Sequence, residues 1–526
     1  MTDPSRPGVV PHLAVIGAGP AGLAATLAAA ARGVRVTLVD SAAEAGGQFY
    51  RQPAAGLRAG RPQALHHQWR TWERLRDGLV GCVRAGTVRH LTEHHVWLVE
   101  RRAGRPGTGT APGSGSESGP NSTSAAVPGP ASGSVSGAAS GAVPGPASGA
   151  VCGAAFGQGF VVHALIGPEQ EEPAEVRADA VLLATGGYER VLPFPGWTLP
   201  GVVTAGGAQA MLKGALAVSG RTAVVAGTGP LLLPVATGLA AAGVEVTALV
   251  ESADPKDFVR RSRALAGQPG KIAEGAGYAA QLLRHRVRTL ARHTVVEAHG
   301  TERLEAVTVA ALDGDGRVRP GSERRIACDT LAVGHGMLPH TDLAETLGCR
   351  LDGLDVHVDA EQRTDVPGVW AAGETTGIGG SALSLAEGHI AGRSAAARLR
   401  GTEPDPGAWA AAARVRTRMR AFSAALGSLY TPPAHWTEQV TDETVVCRCE
   451  EVTAGAVREA VAELGAGDLR TVKLLTRAGM GWCQGRVCGP GVAGVAGCEL
   501  TSSPRPFARP VPLGVLARAD ESDHDQ

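Results

Sequence analysis

Along most of the chain, short runs of β-branched and aliphatic residues alternate with longer Ala- and Leu-rich stretches, the hydrophobic pattern of parallel βαβ units. Two of these units are almost unbroken by polar residues. The first covers residues 13–40, LAVIGAGPAGLAATLAAAARGVRVTLVD, and the second residues 222–251, TAVVAGTGPLLLPVATGLAAAGVEVTALVE. In each, a strand-length run stops at a Gly-rich turn, resumes as a helix and ends in a second strand. Residues 223–244 carry no charge over a length that could span a bilayer, which takes roughly 20 apolar residues. Their glycines divide them into strand, turn and helix instead. The apolar run at 12–31 lacks the basic leader of a signal peptide and divides in the same way. No membrane span is expected. Farther on, a helix is expected over 408–426, and two shorter ones start at the N-caps Thr453 and Asp468.

From Arg102 to Gly159 the pattern vanishes into Gly, Ser, Pro and Ala, with AVPGPASG at 126–133 and again at 142–149. Such a stretch cannot bury enough apolar surface to offset its ordering entropy, so a disordered insertion is expected there. The strand-like HVWLVE before it and GFVVHAL after it are expected to be neighbours in one β-meander. A chain of 526 residues, 44% hydrophobic, is long enough for two to four domains with ample cores. Its formal net charge is zero. The densest basic run, RHRVRTLARH at 284–293, reads as a solvated helix face, so no nucleic-acid partner is expected. Cysteines are too few and too scattered for a disulfide framework, which favours a reducing cytoplasm.

The first Gly-rich turn reads Gly17-x-Gly19-x-x-Gly22, directly between strand and helix. The first glycine permits the tight turn, the second lets a pyrophosphate approach the backbone, and the third lets helix and strand pack closely. The helix N-terminus offers unpaired N–H groups to the phosphates. Asp40 ends the next strand, where a carboxylate can accept from ribose hydroxyls. With Gly46, Gly47 and Gln48 in EAGGQFYRQ, the ADAVLLATGG strand ending at Thr185-Gly186, and GVWAAGE at 368–374, this order of motifs resembles the two-dinucleotide-binding-domain flavoproteins over residues 12–102 and 160–400. The resemblance implies FAD in the first fold, with Gly186 closing the flavin domain and Gly373-Glu374 set against the ribityl chain. Asp is commoner than Glu at that last position.

The second turn keeps Gly227 and Gly229 and ends its unit in Glu251, but Leu232 replaces the third glycine. That side chain is expected to crowd the helix–strand contact and push the helix from a dinucleotide pose. The family resemblance implies NAD(P)H here, with Glu251 favouring NADH by repelling a 2′-phosphate. A vestigial fold or another nucleotide stays open. Disulfide-reductase chemistry is set aside, because residues 41–52 contain no cysteine and the second fold has only Cys328 at its far boundary. Cys82, Cys152, Cys328, Cys349 and Cys498 read as unpaired thiols. His335 and His340 read as core or surface histidines, and no general-base constellation emerges.

The remaining four of the nine cysteines cluster as Cys447-x-Cys449 and Cys483-x4-Cys488. Four thiolates in one small region suggest zinc or an iron–sulfur cluster. C-x-C is short for a zinc knuckle, whereas a binuclear iron cluster can take ligands from unequal loops. Glycines crowd the second loop and could aim N–H groups at the sulfurs. CRCEEVT…LTRAGMGWCQGRVCG resembles the [2Fe-2S] domain of the bacterioferritin-associated-ferredoxin type, a module joined to a flavoprotein in the large subunits of hydrogen cyanide synthase, opine oxidase and dye-linked proline or hydroxyproline dehydrogenase. The resemblance makes Cys447, Cys449, Cys483 and Cys488 the cluster ligands.

The expected fold class is thus α/β, with two dinucleotide-binding, Rossmann-like domains and a small helical [2Fe-2S] domain. The expected division is a flavin domain in three parts (1–102, 160–213 and 328–400) around the insertion at 103–159 and a second dinucleotide domain at 214–327. A helical linker (401–440), the [2Fe-2S] domain (441–500) and a flexible tail (501–526) follow. The resemblance implies the electron-transfer subunit of an amine or imino-acid dehydrogenase complex, whose substrate is oxidised on a smaller flavoprotein of the D-amino-acid-oxidase type. The alternatives are a self-contained NAD(P)H-dependent reductase and a non-catalytic assembly module.

Overall fold

The computed structural model describes residues 10–102, 159–254, 269–501 and 505–517. The insertion expected at 103–159 lies, but for Gly159, outside the described residues. The chain enters through β1 (His12–Ile16), α1 (Pro20–Ala30) and β2 (Arg35–Val39), then α2 (Trp69–Arg84) and β3 (Val88–Leu91). An antiparallel meander follows, β4 (His94–Arg101), β5 (Phe160–Ile166) and β6 (Glu172–Ala178), before β7 (Ala180–Leu183) rejoins the first sheet. Arg102 donates its N–H to the Gly159 carbonyl at 2.8 Å, so the two sides of the insertion are paired, as the meander requires. β8 (Gly187–Glu189) then crosses to the second fold, which contains β9 (Val202–Thr204), α3 (Ala205–Ala210), β10 (Thr222–Gly227), α4 (Leu232–Ala241), β11 (Glu245–Glu251), α5 (Pro269–Arg284) and β12 (Arg288–Ala291). Three antiparallel strands follow, β13 (His293–His299), β14 (Ala306–Ala311) and β15 (Arg324–Ala327), then β16 (Thr330–Gly334).

The return crosses through β17 (Met337–Pro339), antiparallel to β8, into α6 (Asp342–Thr346), the short pair β18 (Leu351–Asp352) and β19 (Asp355–Val356), β20 (Val369–Ala371) and α7 (Gly380–Leu399). The linker helix is α8 (Ala410–Leu429). The cysteine region holds β21 (Val445–Cys447), β22 (Val452–Thr453), α9 (Ala454–Ala462), α10 (Leu469–Thr476) and α11 (Gly489–Ala496). Thr453 and Asp468 cap α9 and α10 through their side chains, as their sequence positions suggest.

The first sheet has the order β20-β7-β1-β2-β3, all parallel, and the second β12-β11-β10-β16-β9. Parallel sheets are covered on both faces, which is why β1 and β7 are apolar at every buried position rather than alternating. Two strands assigned above to the flavin parts, β9 and β16, pair with each other in the second sheet. Their apolar runs, VVT and TLAVG, fill that sheet's core, and the crossings fall at the β8–β17 pair. Helix α1 packs on α7 backbone to backbone: a Cβ on Gly388 would lie 2.0 Å from the Ala21 carbonyl oxygen and one on Gly392 2.3 Å from that of Ala25. Residues 505–517, in the stretch whose composition suggests a loose tail, pack on the meander. Trp97 and Phe507 meet edge to face at 5.0 Å, and Ala508 donates its N–H to the Trp97 carbonyl at 2.9 Å. Among the described residues no helix is long and apolar enough to cross a membrane.

Candidate flavin and iron–sulfur sites

Helix α1 begins directly after Gly19, so its unpaired N–H groups point at the first turn. A Cβ on Gly22 would lie 1.7 Å from the Gly17 carbonyl oxygen, and only glycine lets the helix start this close to the strand. Gly19 is uncrowded: the nearest atom to a Cβ there is the Gly47 Cα at 4.0 Å. This uncrowded glycine beside a helix N-terminus fits a pyrophosphate. Gly46 donates its N–H to the Ala18 carbonyl at 2.8 Å, folding the Gly46–Gln48 loop over the turn. Gln48 accepts from the Arg51 guanidinium at 2.8 Å. Asp40 is buried, and its carboxylate accepts the N–H of Ala18 and, at 2.7 Å, that of Ala42. Burial pushes this carboxyl up while the two N–H groups oppose the rise. Asp40 therefore shapes the turn, and its spare lone pairs leave room for a ribose hydroxyl.

The other flavin motifs converge from across the fold. Thr185 and Thr375 both donate their hydroxyls to the His340 carbonyl, at 2.6 and 3.0 Å, so the strand end at Gly186 meets the Gly373-Glu374 turn. Burial raises the Glu374 carboxyl, with the Gly380 N–H opposing. Two groups escaped the sequence reading. Glu387, fully buried on α7, accepts the Gly373 N–H and the Thr376 hydroxyl, each at 3.0 Å, and pairs with Arg420 of α8 at 2.7 Å. Its only cue was an acid alone among the small residues of SALSLAEGHIAG. Lys213 donates to the Phe49 carbonyl at 3.4 Å, and burial, aided by the nearby Arg51 charge, pushes it down to about 8. It brings a cation from the helical turn after α3 to the Gln48 loop, where no sequence spacing announced it.

In the second fold, α4 starts at Leu232, five residues past Gly227, whereas α1 starts three past Gly17. Leu232 is buried in the place of Gly22, and the helix is withdrawn as its side chain requires. Tight turns replace the first helical turn, with Leu232 donating to the Gly229 carbonyl at 3.2 Å. Glu251 accepts the N–H of Gly229 and that of Ala253, each at 3.0 Å. The acid thus repeats the part Asp40 plays in the first fold.

The four clustered cysteines come together. The Cys483 thiol is pulled down by a hydrogen bond from the Cys488 thiol, against its burial, and by the N–H groups of Val487, Gly485 and Cys488. Cys449 lies against Cys483, and Cys488 touches Cys447, so the sulfurs form a chain of neighbours. A chain of four thiols, with loop N–H groups directed at one sulfur, fits a binuclear cluster. Of the loop glycines, Gly485 supplies such an N–H, and Gly481 lets the loop pass Cys449, since a Cβ there would lie 2.2 Å from the Cys449 Cβ. Cys447 and Cys488 are buried, while Cys449 is exposed; Trp482, next to Cys483 in sequence, is 70% exposed.

The cysteine domain sits against the crossing strands of the flavin fold. Asp342, at the start of α6, accepts from Arg486 of the cysteine loop at 3.0 Å, from Arg505, and from His340 at 3.0 Å. Burial alone would raise this carboxyl, yet the His340 bond and the His340 and Arg486 charges hold it well below the usual range. A cavity of about 280 Å³ lies between the domains, lined by Tyr188, Asp342, Lys473, Gln484, Arg486 and Cys488. On another side, Trp197 donates its indole N–H to the Val445 carbonyl at 2.6 Å and carries Arg448 over its ring.

Residues 11–398 match the family described as Pyridine nucleotide-disulphide oxidoreductase, and residues 445–495 the BFD-like [2Fe-2S] binding domain. The chain therefore belongs to the pyridine nucleotide-disulphide oxidoreductase family, as an FAD-dependent oxidoreductase extended by a [2Fe-2S] domain. Burial pushes the thiols of Cys328 and Cys349 up to about 12 and about 11. Among individual relatives, the HcnB subunit of hydrogen cyanide synthase from Pseudomonas aeruginosa is 31% identical over 483 residues, 90% of each chain. An opine oxidase subunit of Agrobacterium tumefaciens is 30% identical over 489 residues, 90% of this chain and 83% of the relative. The crystal structure of L-proline dehydrogenase from P. horikoshii shares the fold, with a TM-score of 0.60 and 18% identity over 97% of this chain and 80% of that one.

Proposed function

We propose that this chain is the FAD/[2Fe-2S] electron-transfer subunit of an amine or imino-acid dehydrogenase complex, of the opine, proline, hydroxyproline or glycine type. The observation that carries the reading is the docking of the cysteine domain on the crossing strands of the flavin fold through Asp342, Arg486 and Arg505. The relatives, named as subunits of hydrogen cyanide synthase and opine oxidase, support it. Gly17, Gly19 and Gly22 would hold the FAD pyrophosphate, Asp40 its ribose, and Gly46, Gly47, Gln48, Gly186, Gly373 and Glu374 the rest of the cofactor. Cys447, Cys449, Cys483 and Cys488 would hold the cluster. When bound, FAD exchanges electrons in pairs and the cluster singly, so together they split a pair into single electrons. The protein's part is placement: Asp342 fixes one domain on the other, loop N–H groups hold the Cys483 sulfur, and the exposed Cys449 offers an exit.

Substrate oxidation is assigned to a smaller flavoprotein subunit of the D-amino-acid-oxidase type. The sparse, unpaired cysteines favour the cytoplasm as the compartment. The test is purification with native partners under anaerobic conditions. Two irons per chain and bound FAD are expected, with dye reduction by an amine or imino acid only when the partner is present. Cys483→Ser should abolish the iron signal and leave FAD bound. One zinc and no iron would overturn the cluster assignment, and amine-driven reduction without a partner would overturn the subunit role.

A further inference from the structure

The two glycine turns differ in what covers them. At Gly19 the one atom within 4 Å of a Cβ is the Gly47 Cα at 4.0 Å, part of the same fold's loop, but at Gly229 the neighbours are the Tyr430 Cβ and Cγ, at 3.8 and 3.9 Å from such a Cβ. Tyr430 comes from outside both folds, at the C-terminal end of linker helix α8. Its N–H donates to the Leu426 carbonyl at 2.9 Å, and Leu429 beside it is buried. The arm is fixed on both sides of the residue. Upstream, Arg420 pairs with the buried Glu387 at 2.7 Å; downstream, Glu438 pairs with Arg317 at 3.1 Å on the second fold. Glu251, the acid expected to meet a nucleotide ribose, lies close enough for its charge to act on the Tyr430 hydroxyl. Like Asp40 in the first fold, it accepts two backbone N–H groups, those of Gly229 and Ala253. A dinucleotide needs its pyrophosphate over the second glycine and the helix N-terminus. Here the Cβ and Cγ of an aromatic side chain from outside the fold stand against that glycine.

We infer that Tyr430 is a built-in occupant of the second nucleotide fold, which excludes NAD(P)H as electron donor. Removing the ring uncovers a turn that takes a dinucleotide, with NADH preferred over NADPH because Glu251 repels a 2′-phosphate. The fold then survives as a scaffold carrying the arm to the cysteine domain. This reading does not depend on which substrate the partner oxidises.

The experiment compares the FAD- and iron-loaded full-length chain with Tyr430→Ala and Tyr430→Phe. NADH and NADPH binding is followed by calorimetry and by anaerobic bleaching of the flavin. The expected result is no saturable binding to the wild type or to Tyr430→Phe, and NADH affinity at least about tenfold higher in Tyr430→Ala. NADH binding to the wild type as tight as to Tyr430→Ala would overturn the proposal, and so would Tyr430→Ala gaining nothing. Should Tyr430→Ala lose its cofactors, hydrogen exchange of residues 228–232 in the wild type asks the same question. Unchanged exchange on adding NADH supports the proposal, and protection overturns it.

Discussion

His335 lies beneath the second glycine turn, 3.3 Å from the Thr228 hydroxyl, and burial, aided by the Arg190 charge, pushes it down to about 4. In the unfolded chain it titrates near 6.5. Between those values the unfolded state binds more protons, so the contribution to stability is complete above pH 6.5 and is lost as the pH falls toward 4. From pH 7 to pH 5 the loss is about 2 kcal/mol. Urea midpoints at the two values should show it, and His335→Gln should show a smaller drop by about that amount. Single residues also mark where the sequence was readable. Gly17, Gly19 and Gly22 were legible because a tight turn, a ligand approach and a helix contact each forbid other residues. Glu387 and Tyr430 were not, because their partners lie on elements distant in sequence.

At the scale of elements, the pairing of α1 with α7 sets the proposed flavin site, because the N-terminus of α1 is the proposed phosphate cradle. A methyl group on Gly388 would strike the Ala21 carbonyl at 2.0 Å and push the two helices apart. Gly388→Ala should cost about 1–3 kcal/mol and speed loss of FAD on dialysis. Gly277→Ala, on α5 with nothing within 4 Å, should leave FAD retention unchanged and stabilise by up to about 1 kcal/mol. The βαβ units were legible as elements because apolar runs and glycine turns repeat within short windows. Where the sheets divide was less so: β9 and β16 read as flavin-domain strands, and only pairing assigns them to the second sheet.

For the whole molecule, Asp342 joins the two halves with its side chain only 10% exposed. The pair it makes with Arg486 spans 144 residues and leaves no local pattern in the sequence. Asp342→Ala should leave FAD and iron bound and weaken the docking by about 3–5 kcal/mol, since it strands the arginines that the carboxylate neutralises. Faster proteolysis of the stretch between residues 430 and 440 would report it; cleavage at the wild-type rate would remove Asp342 from this role. The cysteine domain is also held at both ends, by the arm that runs past Tyr430 and by residues 505–517 on the meander. A carrier tethered at one end can swing between donor and acceptor, but one clamped at two points is a bracket. In the proposed relay, an acceptor would therefore have to come to the exposed Cys449 rather than wait for the domain to swing out to it.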